Sequence, residues 1–61
     1  MKKVIQDGEG HWLIENVDGK LIYDMQLSLI GTYRVLDYRG TTKVIEHEFK
    51  TYAEAYLFVT Q

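Results

Sequence analysis

Cysteine and proline are both missing from the 61 residues of this chain. Without cysteine there is no disulfide, no thiol nucleophile and no thiolate metal site, so packing of the core must supply the stability. Long apolar runs are missing as well, and Lys2 and Lys3 precede only Val4 and Ile5. This pattern predicts neither a transmembrane span nor a signal peptide, and we therefore expect a cytoplasmic protein.

An excess of one charge sign is also lacking. Seven basic residues stand against nine acidic ones, which gives a net charge of −2 at pH 7. Nucleic-acid-binding proteins usually carry a clustered positive field, which this composition does not provide. The apolar content of 46% and the aromatic content of 13% are enough for a folded core. We expect one small domain, residues 1–61, that buries only about 60% of the surface of its unfolded chain.

The clearest pattern in the sequence is the alternation over residues 21–30. Successive side chains of a strand point to opposite faces, so an alternating run builds one continuous apolar face. That face consists of Leu21, Tyr23, Met25, Leu27 and Leu29. The pattern predicts the central strand of an antiparallel sheet, with the other elements placed by how they pair to it.

Turn chemistry before the central strand predicts two further strands. Asp18-Gly19 is typical of a type I′ hairpin turn, which pairs the strand at residues 11–17 with the central strand and sets Ile14 opposite Tyr23. The apolar faces of the two strands then coincide. Upstream, residues 2–6 form a short β-prone run. The glycine-rich reversal that follows predicts a register with Ile5 opposite Trp12 and Gln6 opposite His11.

Turn chemistry after the central strand predicts two more strands. Residues 31–32 and 40–41 each read Gly-Thr, which fits a type II′ turn. These registers set Leu27 opposite Leu36, and Leu36 opposite Ile45. Taken together, the predicted registers give an inner face of Ile5, Trp12, Ile14, Leu21, Tyr23, Met25, Leu27, Leu29, Leu36, Tyr38, Ile45 and Phe49.

A helix is predicted at the end of the chain. Thr51 and Glu54 form a capping box, in which each side chain bonds to the backbone N–H of the other residue. The following residues place Tyr52, Ala55, Tyr56 and Val59 on one face, with Phe58 beside them. So short a helix must dock on the sheet to be stable. The predicted fold is α+β: an antiparallel β-meander of four to five strands with one C-terminal helix packed on one face. Whether the sheet stays open or curls towards a barrel is left open.

The predicted outer face of the sheet carries more apolar residues than a wet face needs. Ile22, Ile30, Tyr33 and Val35 cluster there on neighbouring strands, and Val44 lies on the same face. One explanation is a strongly twisted sheet that curls over its own core. The other is a docking surface on this face, or on an edge strand, for a second chain. The second explanation predicts these five residues as a partner-binding set, with a homodimer as the first expectation.

The sequence offers no catalytic set, cofactor motif or metal site. His47 stands between Glu46 and Glu48, but in a strand it points away from both of them, so the three side chains cannot share one ion. We expect His47 at the rim of the core beside Phe49 and Arg34. His11 is interpreted as a residue at the start of a strand.

The second half of the chain resembles a known family. From Gly31 it reads G-T-Y-R-V, then D-Y-R-G, and then E-F-K-T-Y-A-E-A-Y-L-F. A β-hairpin that ends in F-K-T-x-x-E-A at the start of a helix is similar to the arm-type DNA-binding domain of tyrosine-family phage integrases. The matching positions are structural: Phe49 as a core anchor, Thr51 as a cap, and Glu54 and Ala55 in the first helical turns.

The resemblance implies a sheet packed on a C-terminal helix that binds DNA through the sheet. It assigns DNA contacts to Tyr33, Arg39 and Thr42. Family members are rich in lysine and arginine on the sheet, whereas this chain carries acidic residues on its predicted outer face. Sheet-mediated nucleic-acid binding is therefore the alternative function. The function that the sequence favours over this alternative is that of a non-enzymatic protein-interaction module, an inhibitor or adaptor of the kind carried by phages and other mobile elements.

Overall fold

The computed structural model describes residues 2–40 and 42–61, which form one antiparallel sheet with an α-helix against one face. The elements are β1 (Lys3–Gln6), β2 (His11–Glu15), β3 (Leu21–Leu27), β4 (Tyr33–Asp37), β5 (Ile45–Phe49) and α1 (Tyr52–Thr60). The strands lie side by side in chain order, so the sheet is a meander, and α1 packs on β4 and β5. The predicted α+β fold with a central third strand is confirmed. Within the described ranges, no helix has the length and apolar character needed to cross a membrane.

Helix α1 begins where the sequence predicts it. The Thr51 hydroxyl accepts a hydrogen bond from the backbone N–H of Glu54 at 3.2 Å and donates one to the Glu54 carboxylate at 3.1 Å. The carboxylate therefore binds the capping hydroxyl instead of the Thr51 N–H that a standard capping box uses. Ala55 and Val59 are fully buried and attach the helix to the sheet.

The turns at residues 16–20 and 28–32 share one backbone design. In each, the first residue donates to the carbonyl of the fifth, and a glycine at the fourth position donates to the carbonyl of the first. Gly19 and Gly31 have φ of +83° and +88°, and no other type of residue in the described chain has a positive φ. This is a type I turn closed by a left-handed glycine. The type I′ turn predicted at Asp18-Gly19 and the type II′ turn predicted at Gly31-Thr32 are therefore wrong.

The different turn changes the register between β3 and β4. Leu27 pairs with Tyr33, and Met25 with Val35, three residues away from the predicted alignment of Leu27 with Leu36. A shift by an odd number of residues turns every side chain of a strand to the other face. Val35 therefore points towards α1, and Leu36 points to the face of the sheet that carries no helix, here called the open face.

The first hairpin is also shifted, by one residue. Gln6 pairs with Trp12 and Val4 with Ile14, so Val4 joins the core side and Ile5 moves to the open face. The reversal holds one residue fewer than predicted, because Asp7, and not Gln6, bonds to His11.

The pairing of β2 with β3 agrees with the prediction at Ile14–Tyr23 and Trp12–Met25. The turn is one residue longer than a two-residue hairpin. A bulge opposite Ile14 and Glu15 absorbs the difference and restores the predicted alignment beyond it.

In the last hairpin, Val35 pairs with His47, one residue from the predicted alignment. The three-residue shift between β3 and β4 turns β4 over, and the one-residue shift between β4 and β5 reverses that effect for β5. His47 and Phe49 keep the predicted side and contact Phe58 of α1. Arg34 lies on the open face, so the prediction of Arg34 beside His47 is wrong. The predicted Gly40-Thr41 turn includes Thr41, which lies outside the described residues.

The core lies between the sheet and α1. Its buried members are Ile14, Ile22, Tyr23, Met25, Val35, Ala55 and Val59, with Val4, Trp12, Tyr33, Phe49 and Phe58 packed around them. Several predicted inner residues are instead at the surface: Leu21, Leu27, Leu29 and Ile45. The bulge in β3 turns Leu21 to the other face, and Leu29 lies in a turn because β3 ends at Leu27. Leu27 and Ile45 keep the predicted side but lie at the ends of their strands.

Candidate protein-interaction site

The predicted partner-binding set is not a surface in the structure. Val35 is 0% exposed and Ile22 is 6% exposed, so both belong to the core. Tyr33 packs its ring against that of Trp12, with 6.0 Å between the ring centroids. Ile30 and Val44 are exposed, but they lie at opposite ends of the sheet, one in the β3–β4 turn and the other before β5. The prediction of an apolar cluster on the outer face is therefore wrong, because it depended on a wrong register. Of the predicted set, only Ile30 belongs to the candidate site described next.

The candidate site is the end of the β3–β4 hairpin, and we call Leu27, Leu29 and Ile30 the apolar tip. Leu29 is 107% exposed and Ile30 is 80% exposed, relative to an isolated residue. Leu27 at the end of β3 is 46% exposed. Leu29 and Ile30 therefore contribute little buried area to this fold, and together with Leu27 they present a contiguous apolar projection to solvent.

The turn residues explain why the tip points outward. Ser28 begins the turn, and its hydroxyl accepts from the Thr32 N–H at 3.1 Å and shares a hydrogen bond with the Thr32 hydroxyl at 2.8 Å. Thr32 in turn donates to the Glu48 carboxylate of β5 at 2.5 Å. These bonds anchor both ends of the turn, so its two central residues can only project away from the sheet.

A depression of about 380 Å³ lies beside the apolar tip. It is lined by the tip itself and by three polar residues: Gln26, Ser28 and Arg34. The Arg34 side chain is half exposed, and its Nε lies 3.6 Å from Glu46 Oε2. The tip therefore combines an apolar knob, an adjacent hollow and a charged rim, which is the usual anatomy of a protein interface.

On the side facing α1, the apolar tip continues into a group of aromatic rings. Leu27 lies opposite Tyr33 in the ladder, and Tyr33 packs edge-on against Tyr52 at 5.7 Å. Tyr52 also contacts Trp12, at 5.3 Å, and Tyr56, at 5.7 Å. Tyr52 and Tyr56 are partly exposed, so the apolar surface extends from the hairpin onto the start of the helix.

The residues implied for DNA binding do not come together. Tyr33 begins β4, whereas Arg39 and Thr42 follow its other end. The Arg39 guanidinium makes a bidentate ion pair with Asp37, with Nη2–Oδ2 at 2.8 Å, and lies over the Tyr23 ring at 5.0 Å. Hydrogen bonds from Arg39 hold the pKa of the buried Asp37 carboxyl below its usual value. Arg39 is already neutralised, and DNA binding by this set stays a prediction.

His47 and its two neighbouring glutamates also stay apart. His47 faces α1, with its ring 4.6 Å from that of Phe58, while Glu46 and Glu48 pair with residues of the open face. In the part of the chain that the structure describes, no group of three histidine or carboxylate side chains is placed to hold a metal ion.

Comparison of the chain with protein-family models, curated proteins and solved structures finds no match. The resemblance to the integrase arm-type domain therefore stays a prediction. Sequence reasoning missed Leu27 and Leu29 as surface residues, since it placed both on the inner face. The signal that identifies them is Ser-x-x-Gly, because serine at the first position and glycine at the fourth are typical of a type I turn.

Proposed function

We propose that this chain is a small non-enzymatic protein-interaction module that docks through the apolar tip. One observation carries the proposal: Leu29 and Ile30 occupy the two outermost positions of a turn and are fully or largely exposed. The turn design itself does not require apolar residues at these positions, since the equivalent turn at residues 16–20 has Val17 and Asp18 there. The proposal retains the cytoplasm as the place of action and involves no cofactor.

The first partner we assign is a second copy of the chain. The knob and the hollow lie side by side on one patch, and in a twofold dimer the same patch meets itself. The Leu29–Ile30 projection of one copy can then enter the depression at Leu27 and Arg34 of the other. A specific interface of about 1,000 Å² in total takes about 500 Å² from each copy, roughly a ninth of its 4396 Å² surface.

The test is the solution molar mass by light scattering over a concentration series, at low and high salt. Because the contact is apolar, we expect a dimer that persists at high salt. The variant Leu29→Asp/Ile30→Asp should be a monomer. Val17→Asp is the matched control, since it places the same charge at the same position of the equivalent turn, and it should remain a dimer.

Two outcomes would contradict self-association: a wild-type monomer at every concentration, or equal loss of the dimer in the control and in the tip variant. A photo-crosslinking amino acid at position 29, compared with one at position 17, then tests a different protein partner. A discrete crosslinked species formed from position 29 alone supports docking through the tip. Equal yields from both positions contradict it.

A further inference from the structure

His11 joins the β1–β2 turn to the central strand. It closes the turn that begins at Asp7, whose N–H donates to the His11 carbonyl at 2.8 Å. Its side chain lies on the open face, where 30% of it is exposed. The ring bridges the turn to Asp24 on β3, with 2.8 Å between Nε2 and Oδ1.

Both ring nitrogens of His11 face oxygen atoms that can only accept. Nε2 faces the Asp24 carboxylate, and Nδ1 lies 3.1 Å from the Asp7 carbonyl oxygen and 3.5 Å from the Asp7 carboxylate. A neutral imidazole carries one N–H, so it would direct a lone pair at one of these oxygens. Only the imidazolium, which has two N–H groups, satisfies both contacts.

The charges around His11 favour the same form. Among the described residues, Asp7 in the turn and Asp24 on β3 are the two charged groups within ion-pair distance of it. Gln26 is neutral and donates to the same Asp24 oxygen at 3.4 Å, and Arg34, opposite Gln26 on β4, is engaged by Glu46. The hydrogen bond to Asp24 raises the pKa of His11 above its usual value, against a smaller opposing effect of burial.

The turn that His11 holds lies against the apolar tip. The Leu27 N–H donates to the Gly10 carbonyl at 2.9 Å, and a Cβ added at Gly10 would lie 3.4 Å from that of Leu27. Any movement of the turn away from β3 therefore removes a backbone partner and a packing neighbour from Leu27.

We propose that protonated His11 fastens the β1–β2 turn to β3, and that deprotonation loosens this turn together with the flank of the apolar tip. The part of the inference that concerns the tip rests on the proposed function. A group with a raised pKa in the folded state contributes its full stability below the pKa of the unfolded chain, about 6.5 for histidine. The contribution is lost as the pH rises through the raised value, so the turn is fastened in mild acid and released in mild base.

The test is an NMR titration of the whole chain from about pH 5 to about pH 9, which brackets histidine titration. We expect the His11 ring signals and the amides of Asp7 and Leu27 to change with one common midpoint. Asp24→Asn keeps the size of the side chain and removes its charge, so it should move the His11 midpoint to lower pH. Amides that do not follow the His11 midpoint, or a midpoint unchanged by Asp24→Asn, would overturn the proposal.

A second measurement separates this inference from the proposed function. Molar mass at mild acid and mild alkaline pH should show a weaker dimer at the higher pH for the wild type. His11→Gln should be equally weak at both pH values. An NMR transition without any dimer supports the fastening by His11 and contradicts only self-association through the apolar tip. A dimer of equal strength at both pH values, together with the NMR transition, contradicts only the control of the tip by His11.

Discussion

The turns on either side of β3 have the same backbone and display different side chains. Both use a type I turn closed by a left-handed glycine, Gly19 in one and Gly31 in the other. The turn at residues 16–20 exposes Val17 and Asp18, whereas the turn at residues 28–32 exposes two large aliphatic side chains. Since the hydrogen bonds are equivalent, the fold does not explain this difference.

The comparison separates residues that build the turn from residues that the turn displays. The first and fourth positions carry the backbone design, because a small polar residue and a glycine suit a type I turn closed in the left-handed region. The second and third positions face solvent and are free of this backbone design, although Asp18, at the third position of its turn, also accepts a hydrogen bond from the Lys20 N–H. Apolar residues at free positions are therefore a better indication of an interface than apolar residues at positions that alternation assigns to the core.

The largest expected effect comes from comparing a core residue of β3 with a residue of the apolar tip that follows it. Met25 is fully buried, so Met25→Ala should lower the free energy of unfolding by about 2–5 kcal/mol. A chain of this length has a total stability of only about 3–9 kcal/mol, so the variant should be largely unfolded or close to it. Leu29→Ala is the matched control and should change stability by less than about 0.5 kcal/mol. Urea denaturation followed by circular dichroism measures both; similar losses would contradict the assignment of Leu29 to the surface.

The second prediction tests whether the two backbones are equivalent. An added Cβ meets no atom within 4 Å at Gly19 or at Gly31, so substitution by alanine carries only the penalty of a positive φ. We expect Gly19→Ala and Gly31→Ala each to cost about 1–2 kcal/mol. Urea denaturation midpoints should fall by similar amounts, and a clear difference between the two variants would show that the turns are not equivalent.

The third prediction concerns how side chains support each turn. Ser28 supports the β3–β4 turn from the first position, whereas Asp18 supports the β2–β3 turn from the third, by accepting from the Lys20 N–H at 3.0 Å. We expect Ser28→Ala and Asp18→Ala each to cost about 0.5–1.5 kcal/mol. Thermal unfolding measures both. A loss of stability well below that range would show that the side-chain hydrogen bond does not stabilise that turn.

The smallest expected effect on stability falls on the residues proposed for docking. Leu29→Asp/Ile30→Asp and Val17→Asp should each leave the unfolding free energy within about 0.5 kcal/mol of the wild type at each substituted site. Stability is measured on dilute protein, because a dimer would add to it. A large loss in the tip variant alone would mean that Leu29 or Ile30 supports the fold, which would contradict their assignment as display positions.

Local sequence signals predicted the helix and the strands of the fold, but not which face of each strand is buried. The alternation of β3, the pairing of Ile14 with Tyr23 and the capping residue Thr51 could all be predicted, because each depends on a few neighbouring residues. The candidate site could be predicted only at Ile30. The placements of Leu27 and Leu29 were wrong because the strand was extended through the turn to residue 30, whereas β3 ends at Leu27.

The sequence by itself determined the order of strands and helix, the central position of β3 and the start of α1. These features follow from periodicity, glycine positions and capping, which act over a few residues. Only the tertiary structure decided which face of β4 is buried. Both faces of that strand carry apolar side chains, Val35 on one and Leu36 on the other, so hydrophobicity alone does not choose between them. The choice came from a shift of three residues at the β3–β4 turn, which buried Val35 and left the Leu29–Ile30 projection in solvent.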